Sequence, residues 1–315
     1  MTGHSKAAVC VLGAGLIGGS VLRAATAAGY EAWGFNRSEA GVRAARADDF
    51  DVLGDIETVL RRAAKQDALI VVGVPMPAVD RILSDVKIFA PECALTDVVS
   101  VKAPVAAAVH AHELGATYVG GHPMAGTSES GWAATTPDLF QRAAWAVSVD
   151  PGVPRDTWER VTRLALDCGS VVVPVLSEEH DRAVARISHL PHVLAEALAI
   201  AGANGGPLAL GLAAGSFRDG TRVAGTAADL VRAICEPNAA ALLEVLDDTL
   251  RVLNDARASL HSGGTIAQLA EAGHDARVDY EDNKRFAITD IRPGDPDWRE
   301  RLADAGRSGG VIESL

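Results

Sequence analysis

At 315 residues the chain is long enough for two domains of ordinary size. Apolar residues make up 48% of it and aromatics only 4%, so its cores must be built mainly from Ala, Val and Leu. A formal net charge of −12 disfavours nucleic acid and acidic membrane surfaces as partners, but not a small anion that feels local charge first. The four cysteines, Cys10, Cys93, Cys168 and Cys235, show no CxxC spacing. They read as buried thiols in a reducing compartment, not as a disulfide framework or a zinc site. The apolar stretch from Ala7 is interrupted by Gly13, Gly15, Gly18 and Gly19, and it lacks a basic leader and a cleavage site. It is therefore not read as a signal peptide, no stretch is long enough to span a membrane, and a cytoplasmic location is expected.

The first half alternates short Val-rich runs with helical segments. Candidate strands fall at 7–12, 31–35, 68–72, 94–98, 118–119, 144–149 and 171–173. Continuous apolar runs of this kind suit strands buried on both faces, and their alternation with helices implies a doubly wound, mostly parallel sheet. The first strand runs straight into Gly13-Ala14-Gly15-Leu16-Ile17-Gly18, the spacing GxGxxG, and then into a helix. In that setting Gly13 permits the tight turn, Gly15 lets backbone approach a pyrophosphate, and Gly18 lets helix and strand pack closely. Leu16 and Ile17 open the helix whose free N–H groups would meet the anion. A Rossmann-type dinucleotide domain follows.

The end of the second strand bears on which dinucleotide. A carboxylate there would bond a ribose 2′-hydroxyl and repel a 2′-phosphate, but the chain has Asn36-Arg37-Ser38. This favours NADP, with NAD as the alternative. Val74 and Pro75, just past the 68–72 strand, are expected beside the cofactor as well.

His122-Pro123-Met124-Ala125-Gly126 follows the 118–119 strand, at the carboxyl ends of parallel strands where ligands bind. The pattern changes after Pro174. Ser177 reads as an N-cap with Glu178, Glu179 and Asp181 in the first turn, and the chain is helical and Ala/Leu-rich to about Ala272. The expected division is a dinucleotide domain at 1–174 and a helical domain at 175–315, whose polar tail after Gly273 reads as a surface arm. In the helical part Ser188-His189-Leu190-Pro191-His192 spaces two histidines three apart, but no third ligand is evident and no metal is expected. Residues 215–224, Gly-Ser-Phe-Arg-Asp-Gly-Thr-Arg-Val-Ala, read as a glycine-flanked loop carrying Arg218 and Arg222.

Taken together, the GxGxxG, Thr96-Asp97-Val98-Val99-Ser100-Val101-Lys102, HPMAG, SHLPH and FRDGTRVA segments resemble the prephenate/arogenate dehydrogenase family of tyrosine biosynthesis. The Ala- and Gly-rich run at 208–214 is similar to actinobacterial members, and the length suggests a stand-alone enzyme. The resemblance implies an oxidative decarboxylation. Hydride leaves C4 of a cyclohexadiene for the nicotinamide, the C4 hydroxyl loses its proton, and CO2 leaves as the ring aromatises. It implies that His122 accepts the hydroxyl proton and Ser100 orients both groups. His192 and Arg222 would bind substrate, Arg222 by gripping a carboxylate, with Thr127 and Ser128 beside it. It further implies a cleft between the domains and a homodimer formed through the helical domain. Whether the substrate is prephenate or arogenate stays open.

Two departures from the family pattern stand out. Ser128 and then Glu129 follow Thr127, where many members place Glu directly, and Ala227-Ala228-Asp229-Leu230-Val231 replaces a usual Asp-Pro-x-x-Trp. A β-hydroxyacid-type dehydrogenase would need a lysine in the helical domain, and none occurs between Val175 and Gly273. A non-catalytic NADP sensor would not need Ser100, His122 and Arg222 together.

Overall fold

The computed structural model describes residues 6–127 and 129–315. It resolves into two compact units: residues up to His180 together with Ala287–Leu315, and Asp181–Phe286.

In the first unit six parallel strands form one sheet: β1 (Val9–Leu12), β2 (Ala32–Phe35), β3 (Val52–Leu53), β4 (Leu69–Val72), β5 (Leu95–Asp97) and β6 (Tyr118–Val119). They run in the order β3-β2-β1-β4-β5-β6, the doubly wound arrangement. The alternation of side chains explains why these runs are apolar throughout. Val9, Val11, Leu69 and Val71 enter one core, and Cys10, Leu12, Ile70 and Val72 enter another on the opposite face. Strand order reverses between β1 and β4, so the loops after these two strands open a crevice at their carboxyl ends. The two-residue edge strand β3 was not legible, being too short to show a period.

A second sheet holds β7 (Gly121–Pro123), β8 (Ala144–Ser148) and β9 (Val171–Val175), with β7 antiparallel to β8 and β8 parallel to β9. Nothing in the local residue pattern marks these strands as leaving the main sheet. Pro174 lies inside β9, opposite Val147. The four cysteines are free and buried, and burial pushes the Cys168 thiol up to about 12 and that of Cys10 higher still.

The tail departs from the expected surface arm. The helix Ala267–Asp282 carries the chain past Gly273, and Ala287–Leu315 then returns to the first unit. Trp298, Leu302 and Ala303 are buried there from the helix Trp298–Arg307. Trp298 packs edge-on against Trp158 with ring centroids 5.3 Å apart. Ile312 exchanges two backbone hydrogen bonds with Val172, of 2.8 and 2.9 Å, extending the β9 edge. These few apolar residues are diluted among Asp, Arg and Gly, so average composition concealed them.

The second unit is all helical apart from its turns: Leu190–Asn204, Gly206–Gly211, Gly215–Thr221, Ala228–Cys235, Ala239–Gly263 and Ala267–Asp282. Residues 215–221 are therefore helix and not loop. Gly220 serves close packing instead of a turn, and so does Gly202 on the helix Leu190–Asn204. A Cβ on Gly202 would lie 2.4 Å from the Phe217 ring, and one on Gly220 would lie 2.8 Å from Leu198. A π-turn at Ala185–His189 precedes the helix Leu190–Asn204. Pro191 lacks the N–H that would bond the Ile187 carbonyl, and its ring crowds that carbonyl, so the wider turn relieves a conflict that α-geometry would create. Leu194, Leu198, Leu243, Leu250, Leu253 and Leu260 are exposed on this unit. Among the described residues no helix is long and apolar enough to cross a membrane.

Candidate active site

The crevice between the loops after β1 and β4 is a cleft of about 550 Å³ lined by Gly13, Gly15, Asn36, Arg37, Ser38, Val74 and Pro75, among others. Its glycines divide by function. Gly13 has φ +110°, and a Cβ there would sit 2.6 Å from the Gly73 carbonyl oxygen. A Cβ on Gly18 would sit 2.1 Å from the Gly13 oxygen. The fold itself therefore requires both. At Gly15 an added Cβ meets nothing within 4 Å. No contact within the protein explains the missing side chain there, whereas close approach of a ligand to the backbone does. Gly15 is also the N-cap of the helix Leu16–Ala27 and has no side-chain cap. The N–H groups of that first turn, Leu16 and Ile17 included, point where an anion binds. The site thus fits a dinucleotide pyrophosphate. Leu16 and Ile17 themselves are not among the residues that line the cleft.

At the far end of the cleft Asn36 is already engaged. Its Nδ2 donates to the Ala14 carbonyl at 3.1 Å, and its Oδ1 accepts from the Ser38 N–H at 3.0 Å. The side chain therefore ties the glycine loop to the end of β2. Ser38 caps the helix Glu39–Ala47, its Oγ accepting from the Gly41 N–H at 3.3 Å. Arg37 is exposed and makes no ion pair among the described residues. Arg81 lines the same cleft from the helix Met76–Phe89, a second cation that sequence reasoning missed because a helical arginine carries no local signature. Trp132, also in the lining, was missed as well. It seats on Gly19, where a Cβ would lie 3.1 Å from its ring, and its indole N–H donates to Asp48 at 2.9 Å. That bond, with the Arg23 guanidinium, holds the Asp48 carboxyl below its usual range.

The Ser100 loop and the His122 strand are locked together by a buried ion pair. Asp97 and Lys102 pair directly, and both side chains are essentially inaccessible. Asp97 Oδ1 also accepts from the Val99 N–H at 2.8 Å, and Oδ2 accepts from the Tyr118 hydroxyl at 2.7 Å and the Gly121 N–H at 3.4 Å. Lys102 Nζ donates to the Gly121 carbonyl at 2.6 Å. One carboxylate and one ammonium thus fix the residues on either side of Ser100 and the residue before His122. Breaking such a pair strands a charge in the core, so Lys102→Met is expected to cost about 3–5 kcal/mol, seen as a lower urea midpoint. His122 is half-buried, and its Nδ1 lies 2.9 Å from Nε2 of His180, a buried histidine on the helix Ser177–Val184. The two rings meet edge-on with centroids 5.0 Å apart. His180 was legible only as one residue in a charged helical turn.

Of the remaining expected residues, Thr127 is exposed and its Oγ1 accepts from the Glu129 N–H at 3.2 Å. Ser128 lies outside the described residues. His192 and Arg222 both belong to the second unit. His192 lies on the helix Leu190–Asn204, with Nδ1 buried and lacking a hydrogen-bond partner among the described residues. Arg222 opens the 3-10 turn Arg222–Gly225, which packs on that helix, and it is exposed without an ion pair among the described residues. His189 is buried 3.1 Å from the Asn238 amide nitrogen, which also donates to the Asp181 carbonyl at 2.8 Å. It serves the interior of this unit.

Comparison with known proteins places this arrangement. Residues 31–174 match the family model "Prephenate dehydrogenase, nucleotide-binding domain", and residues 176–273 match "Prephenate dehydrogenase, dimerization domain". The chain belongs to the prephenate dehydrogenase family. As a member it is a nicotinamide-dependent dehydrogenase with a helical dimerisation domain. It is 31% identical to the cyclohexadienyl dehydrogenase of Zymomonas mobilis over 268 residues, covering 81% of this chain and 88% of that protein. A Corynebacterium glutamicum crystal structure assigned as a prephenate dehydrogenase is 47% identical, with TM-score 0.95, covering 99% of this chain and all of that one. The structure of Synechocystis arogenate dehydrogenase is 26% identical, with TM-score 0.70, covering 86% and 99%. The match to the Bacillus subtilis prephenate dehydrogenase, 34% identical, spans 38% of that protein's length.

Proposed function

We propose that this chain oxidatively decarboxylates prephenate to 4-hydroxyphenylpyruvate, with NADP as the preferred hydride acceptor, as a soluble cytoplasmic homodimer. Bound on the Gly13–Gly18 loop, the dinucleotide supplies the two-electron acceptor. The remaining tasks fall to the protein. His122 as neutral imidazole accepts the C4 hydroxyl proton, Ser100 orients that hydroxyl, and Arg222 with His192 binds substrate anions. The observation that carries this reading is the Asp97–Lys102 pair, which ties the backbone next to Ser100 to Gly121, the residue before His122, in the same unit as a glycine loop that fits a dinucleotide. The Synechocystis relative favours arogenate as the alternative substrate of the same chemistry. The test is turnover of each purified substrate by the full chain.

Arg222→Ala is expected to raise the substrate KM by roughly 10- to 100-fold, since a charge-assisted hydrogen bond contributes about 1.5–3 kcal/mol. An unchanged KM removes Arg222 from the site and turns attention to Arg218.

NADP preference rests on the missing carboxylate at Asn36 and on the exposed Arg37, which has no ion pair among the described residues. Arg37→Ala is expected to lower kcat/KM with NADP far more than with NAD. An equal effect on both cofactors contradicts the phosphate-binding role. Asn36→Asp is the less clean probe, because Asp has no donor for the Ala14 carbonyl.

The apolar leucines of the second unit support a homodimer, for which light scattering should give twice the chain mass.

A further inference from the structure

We infer that His180 is a positioning residue for His122, accepting its Nδ1–H and so fixing the tautomer that leaves the Nε2 lone pair free. The inference rests on the reading of His122 as proton acceptor. Two neutral imidazoles whose nitrogens lie 2.9 Å apart can share their hydrogen bond in only two ways. If His180 Nε2–H donates, the Nδ1 lone pair of His122 is used, its Nε2 carries the hydrogen, and the ring has nothing left with which to accept a substrate proton. If His122 Nδ1–H donates, the Nε2 lone pair is available. The second arrangement also becomes stronger as the reaction proceeds. When the substrate O–H bond breaks, its proton moves to Nε2 and the electron pair stays on the substrate oxygen. The Nδ1–H remains in place, now a charge-assisted donor to His180. This is the logic by which a base is oriented through its second nitrogen.

The surroundings suit a fixed post. His180 is 3% exposed. Its helix begins at Ser177, whose N–H and Oγ donate to the two oxygens of Asp150 at 2.9 and 2.5 Å. Arg307 donates to Glu179 at 2.8 Å from the returned C-terminal helix. His180 is therefore held in place by groups anchored in the same unit as His122. These bonds decide where the partner of His122 stands.

The experiment uses the full-length enzyme labelled with 15N-histidine, the His122 ring signals being assigned by their loss in His122→Asn. The wild-type spectrum should show Nδ1 protonated and Nε2 unprotonated in the neutral ring. His180→Phe keeps the ring shape but removes the acceptor. It should shift His122 toward the Nε2–H tautomer and lower kcat by roughly 100-fold, with KM for substrate and cofactor unchanged. His180→Gln, whose Oε1 falls near the position of Nε2, should recover most of kcat. A wild-type His122 that carries its hydrogen on Nε2 overturns the inference, and so does a kcat unaffected by His180→Phe. Should the Phe variant fold poorly, the wild-type spectrum and the Gln variant decide. Retained turnover in His122→Asn would instead defeat the proton-acceptor reading, and the tautomer spectrum stands independently of that result.

Discussion

His122→Asn is expected to lower kcat by about 10²- to 10⁴-fold, the usual share of general acid–base catalysis, while the enzyme still binds its dinucleotide. Asparagine matches much of the imidazole's size and can still hydrogen-bond, but it cannot take up a proton. The Asp97–Lys102 frame is untouched by the change, because that pair bonds the backbone of Gly121, the residue before. The loss should therefore fall on kcat and not on the fold. The wild type should also lose kcat/KM as pH is lowered through the histidine's pKa, because the protonated ring has no lone pair to offer. Stopped-flow turnover and cofactor titration of the same variant separate the possibilities. Near-normal kcat removes His122 from the chemistry, and loss of cofactor binding alone makes it structural.

The second large effect lies in the glycine loop, where the structure separates positions that GxGxxG treats alike. Gly18→Ala places a Cβ 2.1 Å from the Gly13 carbonyl oxygen, and backbone on both sides leaves nothing flexible to give way. The variant is expected to lose thermal stability and cofactor binding together. Gly15→Ala adds a Cβ with nothing within 4 Å, so its melting temperature should match wild type. Its cofactor Kd should nevertheless rise by roughly 10- to 100-fold, because the methyl holds the pyrophosphate off N–H donors that contribute about 1.5–3 kcal/mol to a charged acceptor. Calorimetry with paired melting curves reads both quantities. Equal destabilisation by the two substitutions, or tight cofactor binding by Gly15→Ala, contradicts the assignment of Gly15 to the ligand.

Where local pattern and burial agreed, the fold was legible. The β1, β2 and β4 runs are apolar because both faces of the sheet are covered, and the glycine spacing after β1 follows from backbone geometry. What escaped the sequence depends on contacts between distant residues. Gly202 and Gly220 look like helix breakers in one dimension, and only Phe217 and Leu198 show that they are packing surfaces. Gly19 looks like a spare glycine until Trp132 is seen against it. The Thr96–Lys102 segment was legible as a motif, but the pairing of Asp97 with Lys102, and their shared hold on Gly121, needs the chain folded. His180 stands 58 residues from His122, so no spacing rule connects them. Trp298 and Ile312 were hidden for the opposite reason: two or three buried residues scarcely alter the average of a polar tail.

The central claim, that this chain turns over a cyclohexadienyl acid with a nicotinamide dinucleotide, is tested most directly by reduced-cofactor absorbance with prephenate and arogenate each crossed against NADP and NAD. The expected result is rapid formation of reduced cofactor with prephenate and NADP, accompanied by equimolar CO2 and 4-hydroxyphenylpyruvate. Arogenate in place of prephenate would keep the chemistry and change the substrate. Cofactor binding without turnover of either acid would contradict the claim and leave a dinucleotide-binding protein without this activity.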